Sequence, residues 1–142
     1  MINTNYCKRL QSNHPDKFQT EAMIYQENKE NRMKKVKIGI IGAGRIGQVH
    51  AKSISGSIPQ AEIVAISDPY LEGAKKTADQ FGIPRVYADY HEILNDPSID
   101  AVLICSPTNT HADIAIEAAA AGKHIFCEKP IDTAISKILD TQ

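Results

Sequence analysis

Residues 36–47 read Val-Lys-Ile-Gly-Ile-Ile-Gly-Ala-Gly-Arg-Ile-Gly, and few folds accommodate such a stretch. Val36, Ile38, Ile40 and Ile41 form a short aliphatic run of the kind that buries as a strand. The run ends in Gly42-Ala43-Gly44-Arg45-Ile46-Gly47, a G-x-G-x-x-G spacing, and a helical pattern begins at once. Each glycine answers a steric demand. Gly42 permits a tight turn off the strand. Gly44 lacks the Cβ that would hold a pyrophosphate away from the backbone. Gly47 lets the following helix lie close on the sheet. Phosphates would meet the free N–H groups and positive dipole end of that helix.

The glycine spacing alone is common, and its context is what sharpens it. A strand precedes it, a helix follows it, and an acidic residue closes the next strand. That residue is Asp68, after Ala61-Glu62-Ile63-Val64-Ala65-Ile66-Ser67 and 21 positions past Gly47. The separation is close to the ~20 residues expected for a carboxylate that binds ribose hydroxyls. Gly42, Gly44, Arg45, Ile46, Gly47 and Asp68 are therefore expected to bind a dinucleotide. A carboxylate accepts from a free 2′-hydroxyl and repels a 2′-phosphate, so NAD is expected over NADP. Pro69 and Tyr70 follow Asp68, and Lys75 is the first basic residue beyond it.

Strands and helices alternate from Lys35 onward. The first helix is expected over 45–55, with Ile46, Val49 and Ile54 on its apolar side. A strand covers 61–67. Leu71, Ala74, Ala78 and Phe81 recur at helical spacing, and Gly82 then Pro84 stop that helix. Val86-Tyr87 is a short strand. Asp89 is expected to cap a turn over 90–94, with Glu92 completing a capping box. Strands over 100–105 and 124–127 flank an alanine-rich helix over 110–121, and Ala134–Leu139 begins another helix. Repeated βα units with short connections imply a doubly wound parallel α/β sheet with right-handed crossovers, the Rossmann arrangement. The sheet is expected to be truncated before its last strand.

Residues 1–34 differ from the rest. Asn, Gln, Lys and Glu dominate, as in Gln26-Glu27-Asn28-Lys29-Glu30-Asn31-Arg32. They are expected to be a disordered or loosely helical extension, because so little apolar surface does not offset the entropy of ordering. The division is thus 1–34 extension and 35–142 dinucleotide-binding domain. The whole chain has 142 residues and a formal net charge of −1, so nothing suggests a nucleic acid or an anionic membrane as partner. No apolar run approaches the ~20 residues that span a bilayer. Cys7, Cys105 and Cys127 are far apart and form no C-x-x-C, so no metal site is expected and reduced thiols in a cytoplasm are the simplest reading.

Ligands of such a sheet collect beyond the carboxyl ends of its strands. Those ends are the glycine loop, Asp68, Ser106-Pro107-Thr108 and Cys127-Glu128-Lys129-Pro130. A charged pair placed straight after a buried strand and followed by proline is positioned to act on something bound there. A lysine beside a cationic ring and low-dielectric walls releases its proton more readily, which suits a general base. The bland alternative is a solvated loop ion pair of Glu128 and Lys129.

Four segments occur in order: Gly42–Gly47, Ser67-Asp68-Pro69, Cys105-Ser106-Pro107-Thr108-Asn109-Thr110-His111, and Ala121-Gly122-Lys123-His124-Ile125-Phe126-Cys127-Glu128-Lys129-Pro130. Together they resemble the N-terminal domain of the Gfo/Idh/MocA oxidoreductases, most nearly the inositol 2-dehydrogenase subgroup, over residues 35–142. The resemblance implies hydride transfer between NAD and a secondary alcohol of an inositol, sugar or related polyol. It implies that Lys129 contacts the reacting hydroxyl and assists proton transfer. It places Glu128 near the nicotinamide, and Ser106, Thr108 and Asn109 along the cofactor. It makes the bond before Pro130 a candidate cis peptide. His111 is expected to cap or pack, and His50, His91, Cys105 and Cys127 to be structural or incidental.

A complete member of that family has a further Rossmann strand and a large α/β domain supplying most substrate contacts, including an Asp/His pair that works with the lysine. Homo-oligomers are expected only of such a full-length form. A non-catalytic dinucleotide-binding module, or an inactive fragment, is therefore the alternative to an enzyme. A different Rossmann reductase, such as one of amino-acid metabolism, is disfavoured by Glu128-Lys129-Pro130.

Overall fold

The computed structural model describes residues 34–131, which apart from Lys34 fall in one unit of the chain, Lys35–Gln142. The polar extension and the helix expected over Ala134–Leu139 lie outside the described residues. Ten short elements follow one another: β1 (Val36–Ile41), α1 (Arg45–Ser57), β2 (Ala61–Ser67), α2 (Leu71–Phe81), β3 (Arg85–Tyr87), α3 (His91–Leu94), β4 (Ala101–Ile104), a 3₁₀ turn (Thr108–Thr110), α4 (His111–Ala120) and β5 (His124–Cys127). The strands form one sheet in the order β3-β2-β1-β4-β5, and every pairing is parallel. The order runs one way from β1 to β3, then returns past β1 to β4. The described fold is thus the doubly wound Rossmann sheet through its fifth strand, with its switch point between β1 and β4.

The alternation of side chains along a strand produces two cores. On one face Ile40, Ile63, Ile66 and Leu103 meet Ala51 and Ile54 of α1 and Ala74 and Ala78 of α2. On the other, Ile41, Val64, Val102 and Ile104 meet Ile93 and Leu94 of α3 and Ile114 and Ala118 of α4. Strands buried on both sides read as unbroken apolar runs, which is why their periodicity was uninformative but their length was not. Gly39 marks a shift in the β1–β2 register. A Cβ there would stand 2.4 Å from Ile93 Cγ2, so α3 sits closer to the sheet than any side chain on Gly39 permits.

The structure corrects several local expectations. The buried side of α1 is Gly47, Ala51 and Ile54, whereas Ile46 and Val49 are exposed. The helix packs through its small residues, so its apolar stripe is rotated from the one that hydrophobicity alone indicates. It also continues to Ser57. β4 is shorter than expected, but its neighbours keep the ladder: Asp100 N–H donates to Lys37 O and Cys105 N–H to Ile41 O. Residues 108–110 form a 3₁₀ turn, and α4 begins after it at His111 rather than at 110. α3 begins after Tyr90, with no side-chain cap from that residue. Asp89 Oδ1, however, accepts the His91 N–H at 3.0 Å, so Asp89 caps this turn as expected. β5 is not a buried strand among the described residues: Ile125 and Phe126 are exposed and border an apolar groove of about 460 Å³ shared with Val36, Ile54 and Ile58. Gly82 ends α2 in the left-handed conformation, as read from the sequence.

Candidate functional site

The carboxyl ends of β1, β2 and β4 open onto a cleft of about 1070 Å³. The glycine turn forms its floor. Gly42 has φ +104°, and a Cβ on it would lie 2.6 Å from the Cys105 backbone. A Cβ on Gly47 would lie 2.0 Å from the Gly42 carbonyl oxygen. The close approach that Gly47 permits is therefore to the turn itself. Gly44 is the contrast: a Cβ there meets nothing within 4 Å. It is the N-cap of α1, offers no side-chain cap, and the first turn carries no acidic residue. The first amides of a helix have no intrahelical partner, so α1 presents them uncontested by any carboxylate of its own first turn.

Asp68 stands across the cleft. Its Oδ2 accepts the Ala43 N–H and its Oδ1 accepts the Tyr70 N–H, both at 2.8 Å. The carboxylate is thus fixed in orientation, and each oxygen retains acceptor capacity. Arg45, Ile46 and Ser106 also line the cleft, with Gly42 and Gly44. Gly47 lies beneath. Thr108, Asn109, Glu128 and Lys129 do not line it; Pro107 and Thr110 do. The hydroxyls of this loop bond one another rather than helix amides: Ser106 Oγ and Thr110 Oγ1 are 2.7 Å apart, and Thr110 Oγ1 donates to Pro107 O at 2.7 Å.

A polar cluster, unread from the sequence, closes one wall. His91 lies stacked on Tyr90, with Nδ1 2.6 Å from Asp89 Oδ1 and Nε2 3.0 Å from Glu117 Oε2. The Tyr90 hydroxyl donates to Glu117 Oε2 at 2.9 Å. Burial, reinforced by Glu117, pushes the Tyr90 phenol up to about 12. The Asp89 hydrogen bond raises the His91 imidazole, while the His91 N–H lowers Asp89.

Beyond β4 and β5 lies the segment Glu128-Lys129-Pro130. Its first residue continues the ladder, Glu128 N–H donating to Ile104 O at 3.1 Å. The Glu128 carboxylate stands 2.5 Å from His50 Nε2 of α1, and His50 meets Phe126 edge-on. The His50 hydrogen bond holds the Glu128 carboxyl below its usual range, with the Lys129 backbone N–H contributing. The Lys129–Pro130 peptide bond is cis. His111 is only 2% exposed. Its Nδ1 is 2.9 Å from Pro130 O and its Nε2 2.8 Å from Ser106 O. His111 is therefore packed between two loops, a neutral imidazole donating to one of the two carbonyl oxygens, and His50 is engaged with the segment that carries the candidate general base. Neither role has a signal in the sequence beyond the presence of a histidine on each helix. Cys105 and Cys127 are free thiols; burial pushes Cys105 up to about 12 and raises Cys127 as well. Among the described residues no His, Cys, Asp or Glu cluster suits a metal ion, and no helix is long and apolar enough to cross a membrane.

Residues 36–141 match the family profile described as "Oxidoreductase family, NAD-binding Rossmann fold". The chain is 47% identical over 103 residues to an inositol 2-dehydrogenase of Rhizobium meliloti, covering 72% of this chain and 30% of that protein. It is 42% identical over 103 residues to the myo-inositol 2-dehydrogenase of Thermotoga maritima, with the same coverage. Among solved structures it is similar to a scyllo-inositol dehydrogenase from Lactobacillus casei with bound NAD(H) and scyllo-inositol: TM-score 0.73, 37% identity, 77% of this chain and 32% of the other. The chain spans about 30% of the length of the curated relatives it matches.

Proposed function

This chain belongs to the Gfo/Idh/MocA oxidoreductase family, with its NAD-binding Rossmann fold, and on that premise we propose that it is the cofactor half of an NAD-dependent dehydrogenase acting on a secondary alcohol of an inositol, sugar or related polyol. One observation carries the reading: the open cradle at Gly44 and the backbone-held Asp68 carboxylate face the same cleft. A Cβ on Gly44 would occupy space that the fold leaves empty, and that space adjoins the N-terminus of α1, where a pyrophosphate is best placed. Asp68 would accept from ribose hydroxyls and repel a 2′-phosphate, which favours NAD over NADP.

Gly42 and Gly47 shape the turn, Arg45 and Ile46 border the phosphates, and Ser106 lies along the cofactor, while Thr108 and Asn109 of the same loop would reach it only from outside the cleft. NAD, when bound, supplies the hydride acceptor. Lys129 takes the proton of the substrate hydroxyl as general base, and Glu128 adjoins it. Identity with inositol dehydrogenases supports the polyol class. Cysteine usage supports a cytoplasmic location. The chain's short span relative to its relatives favours a second reading, a dinucleotide-binding module without turnover.

Titrating NADH and NADPH fluorescence with the 142-residue chain, followed by polyol oxidation assays, separates these readings. Micromolar NADH binding with weaker NADPH binding is expected. Turnover would support the enzyme, binding without turnover would support the module or a fragment of the enzyme, and no binding of either nucleotide would overturn the cofactor reading.

A further inference from the structure

Two histidines from two helices hold opposite ends of the same three-residue segment. His50 Nε2 meets the Glu128 carboxylate at 2.5 Å, and His111 Nδ1 meets the Pro130 carbonyl at 2.9 Å. Lys129 lies between. We propose that His50 and His111 are positioning residues that clamp Glu128-Lys129-Pro130 and so set the place of Lys129 against the nicotinamide end of the cofactor; this rests on the dinucleotide reading above.

The two bonds differ in what they anchor. His50 stands on α1, whose N-terminus adjoins the glycine turn, and its side chain and that of Glu128 are each 26% exposed. It couples the proposed phosphate cradle directly to the lysine segment, across 78 positions of sequence. His111 is buried, and its second nitrogen meets Ser106 O at 2.8 Å. The clamp requires the tautomer with its proton on Nδ1, which donates to Pro130 O. Glu128 is further held by its N–H bond to Ile104 O. The segment is thus tied to α1, to β4 and to the first turn of α4.

A dinucleotide binds across the switch point. With one ribose at Asp68, beside β2, its other half extends over β4 and β5, where this segment lies. The clamp therefore bears on the nicotinamide half and not on the adenosine half. Lost packing at this segment would weaken the same half, so the amide replacements, read together with the discrimination, decide between clamp and packing.

Amide replacements separate clamping from packing. A glutamine amide reaches the place of a histidine Nε2, and an asparagine amide that of Nδ1. His50→Gln and His111→Asn keep the bonds to the segment, whereas His50→Asn and His111→Gln break them. In the cofactor-free chain the bond-breaking pair should speed amide exchange at Lys129 at least about fivefold, and the bond-keeping pair should leave it near wild type. With ligand, the bond-breaking pair should weaken NADH binding about tenfold while changing ADP-ribose binding less than about twofold. Equal behaviour of Asn and Gln at either position, or equal losses for NADH and ADP-ribose, would overturn the clamp. If the wild-type chain binds neither ligand the cofactor reading falls, and the placement against nicotinamide with it, while the exchange pattern still decides whether the segment is clamped.

Discussion

The Asp68 carboxylate accepts the Ala43 backbone N–H at 2.8 Å, so the residue that ends β2 is bonded to the turn that ends β1. Its other oxygen accepts the Tyr70 N–H at the same distance. A side chain read from the sequence as a ribose ligand is also a brace for the glycine loop.

Asp68→Ala should therefore have two effects. Losing two hydrogen bonds to a charged acceptor should cost about 1–3 kcal/mol of stability, visible as a melting temperature lowered by several degrees. NADH binding should weaken at least about tenfold. A variant that loses affinity with an unchanged melting temperature would show that the brace contributes nothing.

The three glycines of the turn should separate cleanly. Gly47→Ala drives a Cβ to 2.0 Å from the Gly42 carbonyl oxygen and should destabilise the fold by about 2 kcal/mol or more. Gly44→Ala meets no protein atom and should change stability by about 1 kcal/mol at most, yet abolish measurable NADH binding. Thermal denaturation alongside NADH titration checks both; an unaffected affinity in Gly44→Ala would remove the pyrophosphate from this turn.

The wall formed by Asp89, Tyr90, His91 and Glu117 should depend on pH with a defined sign. His91 binds its proton more tightly when folded, chiefly through Asp89. That contribution is complete below the ordinary histidine value of about 6.5 and vanishes as pH rises through the higher folded value. Asp89 is lowered by the His91 N–H; its contribution is complete above the ordinary aspartate value of about 3.9 and vanishes as pH falls through the lower folded value. Amide exchange over residues 88–91, corrected for its intrinsic pH dependence, should be most protected between these limits. His91→Phe should flatten the profile.

Cys105 should resist alkylation. Its thiol is raised from 9.0 to about 12 by burial, with Glu128 adding to the effect, which makes its thiolate fraction about a thousandfold smaller than that of a free thiol. Peptide mass spectrometry after iodoacetamide at pH 8 should find Cys105 unmodified in the folded chain and fully modified in denaturant. Rapid labelling in the folded state would contradict the raised thiol.

The order of strands and helices was legible because each carries a local cause. Apolar runs of strand length, Gly42 and Gly82 at positions requiring positive φ, and the placement of Asp68 after an aliphatic strand all act within a few residues. The buried side of α1 was legible only in part: Gly47 and Ile54 were read as packing on the sheet and do, but Ile46 and Val49 do not. Ile46 and Val49 are the more hydrophobic choice, yet Gly47 and Ala51 face the sheet because close helix packing selects small side chains. Asp89 was legible as a cap because its carboxylate meets the first-turn His91 N–H only two residues on.

From the sequence alone follow the alternating α/β fold, the glycine turn and the acidic residue opposite it, since turn sterics and side-chain periodicity operate locally. The tertiary structure alone decides that His50 meets Glu128, that His111 bridges Ser106 and Pro130, and that Asp68 braces Ala43. Most of these contacts join residues far apart in the chain. Their partners are chosen by strand order and register, and by which way each helix turns when it packs, and no local pattern encodes that choice.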